Sequence, residues 1–448
     1  MVIEQIKKEK FSIYTWIVLF IIIQPILDLF TSLNVRYLGG DILSVGVILR
    51  SIFMVSLGLH VLISKKYSKV VKGYLLLVGF YLILFFFLAY EKGGLSLLLP
   101  EVKGVIKSFY FPIVLVALFE IHRVRDIGLT PQIFKFSLGG YLSVIFVATI
   151  TGTSFNSYDY GYGSVGWFFA ANEIGAIVAM LLPYALLPFL EKRVKYTDVA
   201  LFLLLLFSVF YIGTKVPPLS LFIYMGMMAV VMVWLFAAKN RKASFSYVKL
   251  STMILLLGLV MSIQSPLTKN VVSTYGHLFA GSGEILTGEI TEEEKREEEK
   301  DKEIEQAILS SRNLYNDMIR ERFEKSDLTG KMFGIGYYVQ DKDGKFTDKM
   351  IEMDAYDIYY RHGVVGSILY FAPLVLLGMF LLKRFFASFS MHMKSYRIIS
   401  YCYAIVIGLA VGLLTGHVLT SPAVSIYIVT SILMLYSMIG KRGETSLT

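Results

Sequence analysis

The chain has 448 residues, 56% of them hydrophobic, and a formal net charge of +9. A soluble domain of this length has no way to cover so much apolar surface, so the composition excludes an ordinary water-soluble protein and points to a polytopic helical membrane protein. The positive charge is not a nucleic-acid signal, because Lys and Arg lie mostly in short loops between apolar runs. The single cysteine, Cys402, sits inside an apolar run and gives no disulfide framework.

The N-terminus is charged (Glu4, Lys7, Lys8, Lys10) and then directly apolar. The run from Phe11 is too long for a signal-peptide core and has no small-residue cleavage site, so it is expected to stay as the first span. Apolar runs of spanning length lie at roughly 11–33, 42–63, 72–90, 104–122, 133–152, 168–190, 197–214, 216–237, 247–265, 364–384, 397–418 and 420–440. These predict an all-α polytopic fold of about twelve transmembrane helices with one large, partly helical loop. The seventh and eighth runs nearly touch, and the paired Pro217 and Pro218 mark a break between them.

Alternate loops carry Lys7/Lys8/Lys10, Lys65/Lys66/Lys69/Lys72, Arg123/Arg125, Lys192/Arg193/Lys195, Lys239/Arg241/Lys242, Lys383/Arg384/Lys394/Arg397 and Lys441/Arg442. The other set has Arg36, Lys92, Lys103 and Lys215, each nearly alone. This bias predicts a multi-pass protein of the cytoplasmic membrane, both termini cytoplasmic and the 266–363 loop extracytoplasmic. The chain then divides into a bundle over 1–265, the loop over 266–363, and a second bundle part with a cytoplasmic tail over 364–448.

That loop is the long polar segment of an apolar chain. Glu292 to Asp301 is a charge run, read most simply as a solvated tract. Ile304, Ile308, Tyr315, Ile319 and Phe323 recur at helical spacing and predict an amphipathic helix lying on the membrane or on the mouth of the bundle. Asp327-Leu328-Thr329-Gly330 and Gly334-Ile335-Gly336 are turn signals; the Gly-Ile-Gly alone is weak evidence for phosphate binding.

The loop closes on Glu352, Asp354, Asp357, Arg361 and His362, just before Gly363-Val364-Val365-Gly366 re-enters the membrane. Asp354, Asp357 and Arg361 share one helical face, with Asp357 and Arg361 an i, i+4 pair. An ion-paired helix start explains that pattern without any chemistry. Glu352 and Asp354 offer oxygens to a hard cation, but two carboxylates make a poor metal site. Asp28, Arg50, His60, Asn172 and Glu173 lie within or at the ends of apolar runs, where polar groups face the bundle interior. Asp28 and Arg50 fall at comparable depth and are expected to pair, as a structural pair or as part of a cavity. Asn172-Glu173 follows the aromatic, glycine-rich stretch Tyr158 to Gly163. Lys215, a lone cation in a tight turn before two prolines, suits an anion such as a phosphate, and Arg312 on the loop helix offers a bidentate fork.

In their order these parts resemble the O-antigen ligase / O-antigen polymerase superfamily of membrane glycosyltransferases of the GT-C type. The motifs are Trp167-Phe168-Phe169-Ala170-Ala171-Asn172-Glu173, then Thr214-Lys215 where that family has a Ser/Thr-Arg turn, Ser310-Ser311-Arg312, Gly334-Ile335-Gly336, and the Gly363-to-Gly366 re-entry. Two departures stand out: lysine replaces arginine at 215, losing the planar fork, and Glu352 occupies the family's histidine position, with Asp354 and Asp357 added. This acidic element resembles Firmicute-type branches of the superfamily.

The resemblance implies an enzyme that moves a glycan from a polyprenyl-diphosphate donor to a glycan or envelope acceptor at the bilayer, with inversion, no metal and no cofactor. It implies a catalytic carboxylate (Glu352 first, then Asp354 and Asp357), diphosphate-binding cations (Lys215 and Arg312, then Arg361), and a cavity lined by Asn172, Glu173, Asp28 and Arg50. The sequence leaves two other classes open. A transporter or flippase of lipid-linked glycans has similar spans and intramembrane charges, but no internal repeat is evident. A scaffold of an envelope assembly predicts that Glu352 and Lys215 are replaceable.

Overall fold

The computed structural model describes residues 12–37, 44–157, 162–237, 241–263, 265, 266, 268–270, 312–337, 339, 340, 346, 347, 351–414 and 416–440. The acidic tract, the first part of the amphipathic stripe (304–311) and Tyr158 to Gly161 lie outside them. The protein is an all-α polytopic membrane protein. Among the described residues nine helices are long and apolar enough to cross a membrane, or ten if a bent pair counts as one span.

That pair is α1 (Ile13–Ile22) and α2 (Gln24–Tyr37), which meet at 57° where the sequence suggests one straight span. Pro25 explains the break, because it brings no amide donor to the helix. The spanning helices are α3 (Val45–Ile63), α4 (Lys69–Gly93), α5 (Leu95–Val124), α6 (Pro131–Ile150), α7 (Ala171–Leu190), α9 (Val216–Ala237), α13 (Asp354–Ala387), α15 (Tyr396–Leu414) and α16 (Pro422–Ile439). Between them α8 (Tyr196–Tyr211) and α10 (Arg241–Ser262) hold shorter apolar stretches. Each of the twelve apolar runs thus coincides with a helix or the bent pair. The loop supplies α11 (Arg312–Glu324), α12 (Leu328–Phe333) and a short antiparallel ribbon, β1 (Val339–Gln340) with β2 (Phe346–Thr347). The small α14 (Phe389–His392) links α13 to α15.

Helix α7 is the axis. Its sequence is apolar on every side, so it has no polar face to present and takes the centre. It packs against α6, α8, α9, α15 and α16. By contrast α3 and α4 expose rows of apolar side chains, such as Ile52, Val55, Leu59, Leu76, Phe80, Ile83 and Phe87. Such rows are tolerable only against hydrocarbon.

Alternation of the helices puts the long loop, the N-terminus of α7 and the N-terminus of α13 at one end of the bundle, called here the loop end. Lys69, Arg123, Arg125, Lys192, Arg193, Lys195 and Arg397 lie at the other end. The stripe on α11 closes onto protein. Ile319 and Phe323 are buried with Ile351, Met353 and Tyr360, and Tyr315 packs beside them. Each such side chain contributes about 1.5–3 kcal/mol. This cluster lays α11 over the start of α13.

Candidate functional site

The segment that closes the loop is organised by carboxylates. Met353 is extended, and α13 begins at Asp354. Asp354, Asp357 and Arg361 are all fully buried. Asp357 Oδ1 accepts from the Ile351 amide at 3.0 Å and lies 3.5 Å from Arg361 Nε, the expected i, i+4 pair. Its other oxygen is buried with no hydrogen-bond partner among the described residues. Arg361 also donates from Nη1 to the Gly336 carbonyl (2.9 Å) and from Nη2 to the Tyr315 hydroxyl (3.2 Å). One guanidinium therefore ties α11, the glycine turn and α13 together.

Asp354 serves a different neighbour. Its Oδ2 accepts from the amides of Val418 (3.0 Å) and Leu419 (2.6 Å), and its Oδ1 from the Thr420 hydroxyl (2.6 Å). His417 Nδ1 stands 3.9 Å away. A single carboxylate thus organises the link from α15 to α16. Glu352, two residues earlier, is only half-buried.

The Gly334-Ile335-Gly336 turn does not present free amides. Gly334 N–H donates to Gly330, Ile335 N–H to the Tyr360 carbonyl, and Gly336 N–H to the Arg361 carbonyl. The next amide, of Tyr337, donates to both oxygens of Glu101 at 2.8 and 2.9 Å. The turn is therefore a latch on the α13 backbone, with every amide committed. It faces a break in α13 at Gly363, where φ is 63°. A cavity of about 160 Å³ lies beside it, bordered by Lys92, Glu101 and Thr329.

His362 is wholly enclosed. Its Nδ1 meets the Tyr81 hydroxyl at 3.2 Å, and its Nε2 meets Ser108 (3.2 Å) and Tyr337 (2.9 Å). Burial holds the Tyr337 hydroxyl well above its ordinary range, so it stays protonated as a partner for His362. Burial also raises Tyr315, against the opposing pull of Arg361.

A second polar group lies deeper, between α2, α3 and α6. Arg50 Nη2 donates to Asp28 Oδ1 at 2.6 Å, the expected pair, and its Nε donates to Gln24 at 2.9 Å. The Tyr141 hydroxyl donates to the other oxygen of Asp28. Glu173, in the first turn of α7, lies beside Ser421, with Asp28, Lys107 and Arg50 as its charged neighbours. Ser421 follows Thr420, which Asp354 holds. The two polar groups therefore meet across the 417–421 link. Six cavity and closing-segment residues read from the sequence come together here: Asp28, Arg50, Glu173, Asp354, Asp357 and Arg361.

Lys215 stands apart from that group. It is exposed at the loop end, in a turn where Thr214 packs over Gly175 of α7 and Asn270 bonds to Gly213. Asn172 is half-buried one helical turn from Gly175. Arg312 is the first residue of α11, its side chain lying outside the described residues. Glu101, Lys107, Tyr337, His417, Thr420 and Ser421 are site residues that sequence reasoning does not reach. Glu101 and Lys107 carry a usable signal, since both sit in the helical span α5. A span read from residue 104 leaves Glu101 in a loop and hides it. Among the described residues no cluster of three His, Cys, Asp or Glu side chains has a metal-binding arrangement.

Against known proteins, the family model described as O-antigen ligase like membrane protein matches residues 8–440. No curated protein and no solved structure matches.

Proposed function

The chain belongs to the O-antigen ligase like membrane protein family, which gives it a membrane glycan-processing role, and from that premise we propose that it transfers a glycan from a polyprenyl-diphosphate donor to a glycan or envelope acceptor at the outer face of the cytoplasmic membrane. The observation that carries this reading is the meeting of the loop-closing carboxylate segment with the polar interior of the bundle across residues 417–421. A lipid-linked substrate needs such a place, with its tail in the bilayer and its reacting atoms at a polar end.

In this reading Glu352 is the base. It takes the proton of the acceptor hydroxyl as that oxygen bonds to the anomeric carbon. The bond from that carbon to the phosphate oxygen breaks, the configuration inverts, and the lipid diphosphate leaves with its electron pair. Lys215 and Arg312 meet the negative charge that develops on it. Asp354, Asp357 and Arg361 are positioning residues: Asp354, Asp357 Oδ1 and Arg361 hold the segment that presents Glu352. Asn172, Glu173, Asp28 and Arg50 line the route between helices. No metal is required, because the diphosphate is already an activated leaving group.

One feature favours a second reading as a transporter of lipid-linked glycans: the broken α1–α2 span beside the buried Asp28–Arg50 pair. A single assay separates the two. Purified protein in vesicles receives a polyprenyl-diphosphate oligosaccharide with EDTA present, and released lipid diphosphate and lengthened or newly attached glycan are followed. Wild type is expected to turn over, Glu352→Gln to lose about 10²–10⁴-fold in rate, and Lys215→Ala to lose turnover to a smaller extent. Full activity of Glu352→Gln overturns the assignment of the base. Glycan crossing the bilayer without transfer overturns the transferase.

A further inference from the structure

At the end of the bundle opposite the loop, a cavity of about 730 Å³ opens between the starts of α6, α8 and α15 and the end of α7. It lies along α7 from Asn172, its first α7 lining residue, Tyr184, being about 18 Å away at 1.5 Å per residue, so it is no part of the transfer site. Its lining changes character with depth. The rim carries Lys135, Arg193, Lys195 and Arg397 against Glu191 and Asp198. The wall behind is apolar, formed by Phe136 and Gly139 of α6, Leu187 of α7, and Leu201 and Leu204 of α8.

The rim's carboxylates are already matched. Lys135 pairs with Asp198, and Arg397 donates to both oxygens of Glu191 at 2.7 and 3.1 Å. Arg193 and Lys195 are cations in excess of those two pairs, and both are exposed. An adjoining cavity bordered by Lys192, Arg193, Tyr396 and Arg397 continues the basic rim. A rim of solvated positive charge needs only water to satisfy it. This one stands over an apolar gap between α6 and α8, which water fills poorly and a hydrocarbon chain fills well. Charge at the mouth and hydrocarbon behind it match one class of ligand.

We propose that this cavity holds a phosphate-bearing lipid. Its headgroup lies on Arg193 and Lys195, with Arg397 beside it, and its chain runs along Phe136, Gly139 and Leu204. Charge complementarity selects the anionic headgroup, and the apolar wall selects a lipid over a soluble phosphate. An anionic phospholipid and a polyprenyl monophosphate share this chemistry.

The test is native mass spectrometry of the full-length protein in detergent. Phosphatidylglycerol, phosphatidylcholine and glycerol 3-phosphate are each added, and a polyprenyl monophosphate competes in a further arm. Phosphatidylglycerol adducts are expected to outnumber phosphatidylcholine adducts, and glycerol 3-phosphate alone is expected not to displace them. The Arg193→Ala/Lys195→Ala double variant is expected to lower phosphatidylglycerol affinity about 30-fold, two basic contacts together. Gly139→Trp, which fills the gap, is expected to lower binding of both lipids. Displacement by the polyprenyl phosphate identifies the isoprenoid lipid as the better occupant, and no displacement identifies the phospholipid. Equal retention of the two phospholipids, or phosphatidylglycerol binding unchanged in the surface double variant, overturns the proposal. That variant alters only exposed side chains, so it decides the matter even where Gly139→Trp fails to fold.

Discussion

Asp354 shows how one side chain at the start of a helix governs a segment far away in sequence. Three donors converge on it, two of them backbone amides of a link that must be closed off from water. Asp354→Ala leaves all three buried and unsatisfied, at about 1–3 kcal/mol each. Asp354→Asn keeps one oxygen for the two amides and turns its NH₂ to the Thr420 hydroxyl, which can rotate to accept. The expected order of thermal stability in detergent is therefore wild type, then Asn slightly lower, then Ala lower by several kcal/mol. If the carboxylate itself performs chemistry, Asn fails in transfer while folding normally, and comparing the Tm with the rate tells the two apart. That Asp354, Asp357 and Arg361 share a face is legible from their spacing alone. That Asp354 belongs to residues 418–420 is not, because local periodicity carries no information about a partner more than sixty positions away.

Among the elements, α13 carries the least regular geometry, and the reason is a latch. Gly363 takes a positive φ of 63° to let the Gly334–Gly336 turn lie against the helix. A Cβ at Gly363 would stand 2.6 Å from backbone atoms of Met332 and Gly334, and one at Gly334 would stand 2.0 Å from the Arg361 carbonyl. The left-handed conformation alone costs a non-glycine residue about 1–2 kcal/mol, and the backbone contacts leave nowhere to shift. Gly363→Ala and Gly334→Ala are expected to lower thermal stability by more than that amount. Gly378→Ala, in the same helix with open space around its Cβ position, is expected to be neutral or slightly stabilising through helix propensity. Equal effects at all three positions would show that the latch is not under tension. The helices themselves are readable, since each apolar run of spanning length became one, except the first, which became the bent α1–α2 pair. The start of α13 is legible from the spacing of Asp354, Asp357 and Arg361 but not from hydropathy, since the helix begins ten residues before the apolar run at 364. Its first turns are polar residues whose charges are paired inside the protein, and hydropathy sees charge without seeing its partner. The Gly-x-Gly turn was visible as a turn, while its role as a latch depends on Tyr360 and Arg361 across the fold.

For the whole molecule, the sharpest question is which side of the membrane each end faces. The basic loops gather at one end and the long loop at the other, which by the charge rule places the loop outside. The number of crossings made by α8, α9 and α10 decides this. Helix α8 has 16 residues, about 24 Å at 1.5 Å per residue, against a hydrocarbon core of about 30 Å. If α8 crosses together with α9 and α10, three crossings separate Tyr196 from Lys325, and the two lie on opposite sides. If one of the three stops short, they lie on the same side. Both positions are open to reagent: Tyr196 is 96% exposed and the Lys325 side chain 73%. In a Cys402→Ser background, Lys325→Cys is expected to react with a membrane-impermeant maleimide in intact spheroplasts, and Tyr196→Cys only after permeabilisation. Reaction of both in intact spheroplasts would remove one crossing from the bundle. The reverse pattern would turn the molecule over, placing the loop-closing carboxylates in the cytoplasm, where a donor glycan already carried across the membrane would be out of reach. The expected pattern puts Glu352 and Lys215 on the side where such a donor is presented, and it puts the basic cavity of α6, α8 and α15 against the leaflet in which anionic headgroups face the cytoplasm.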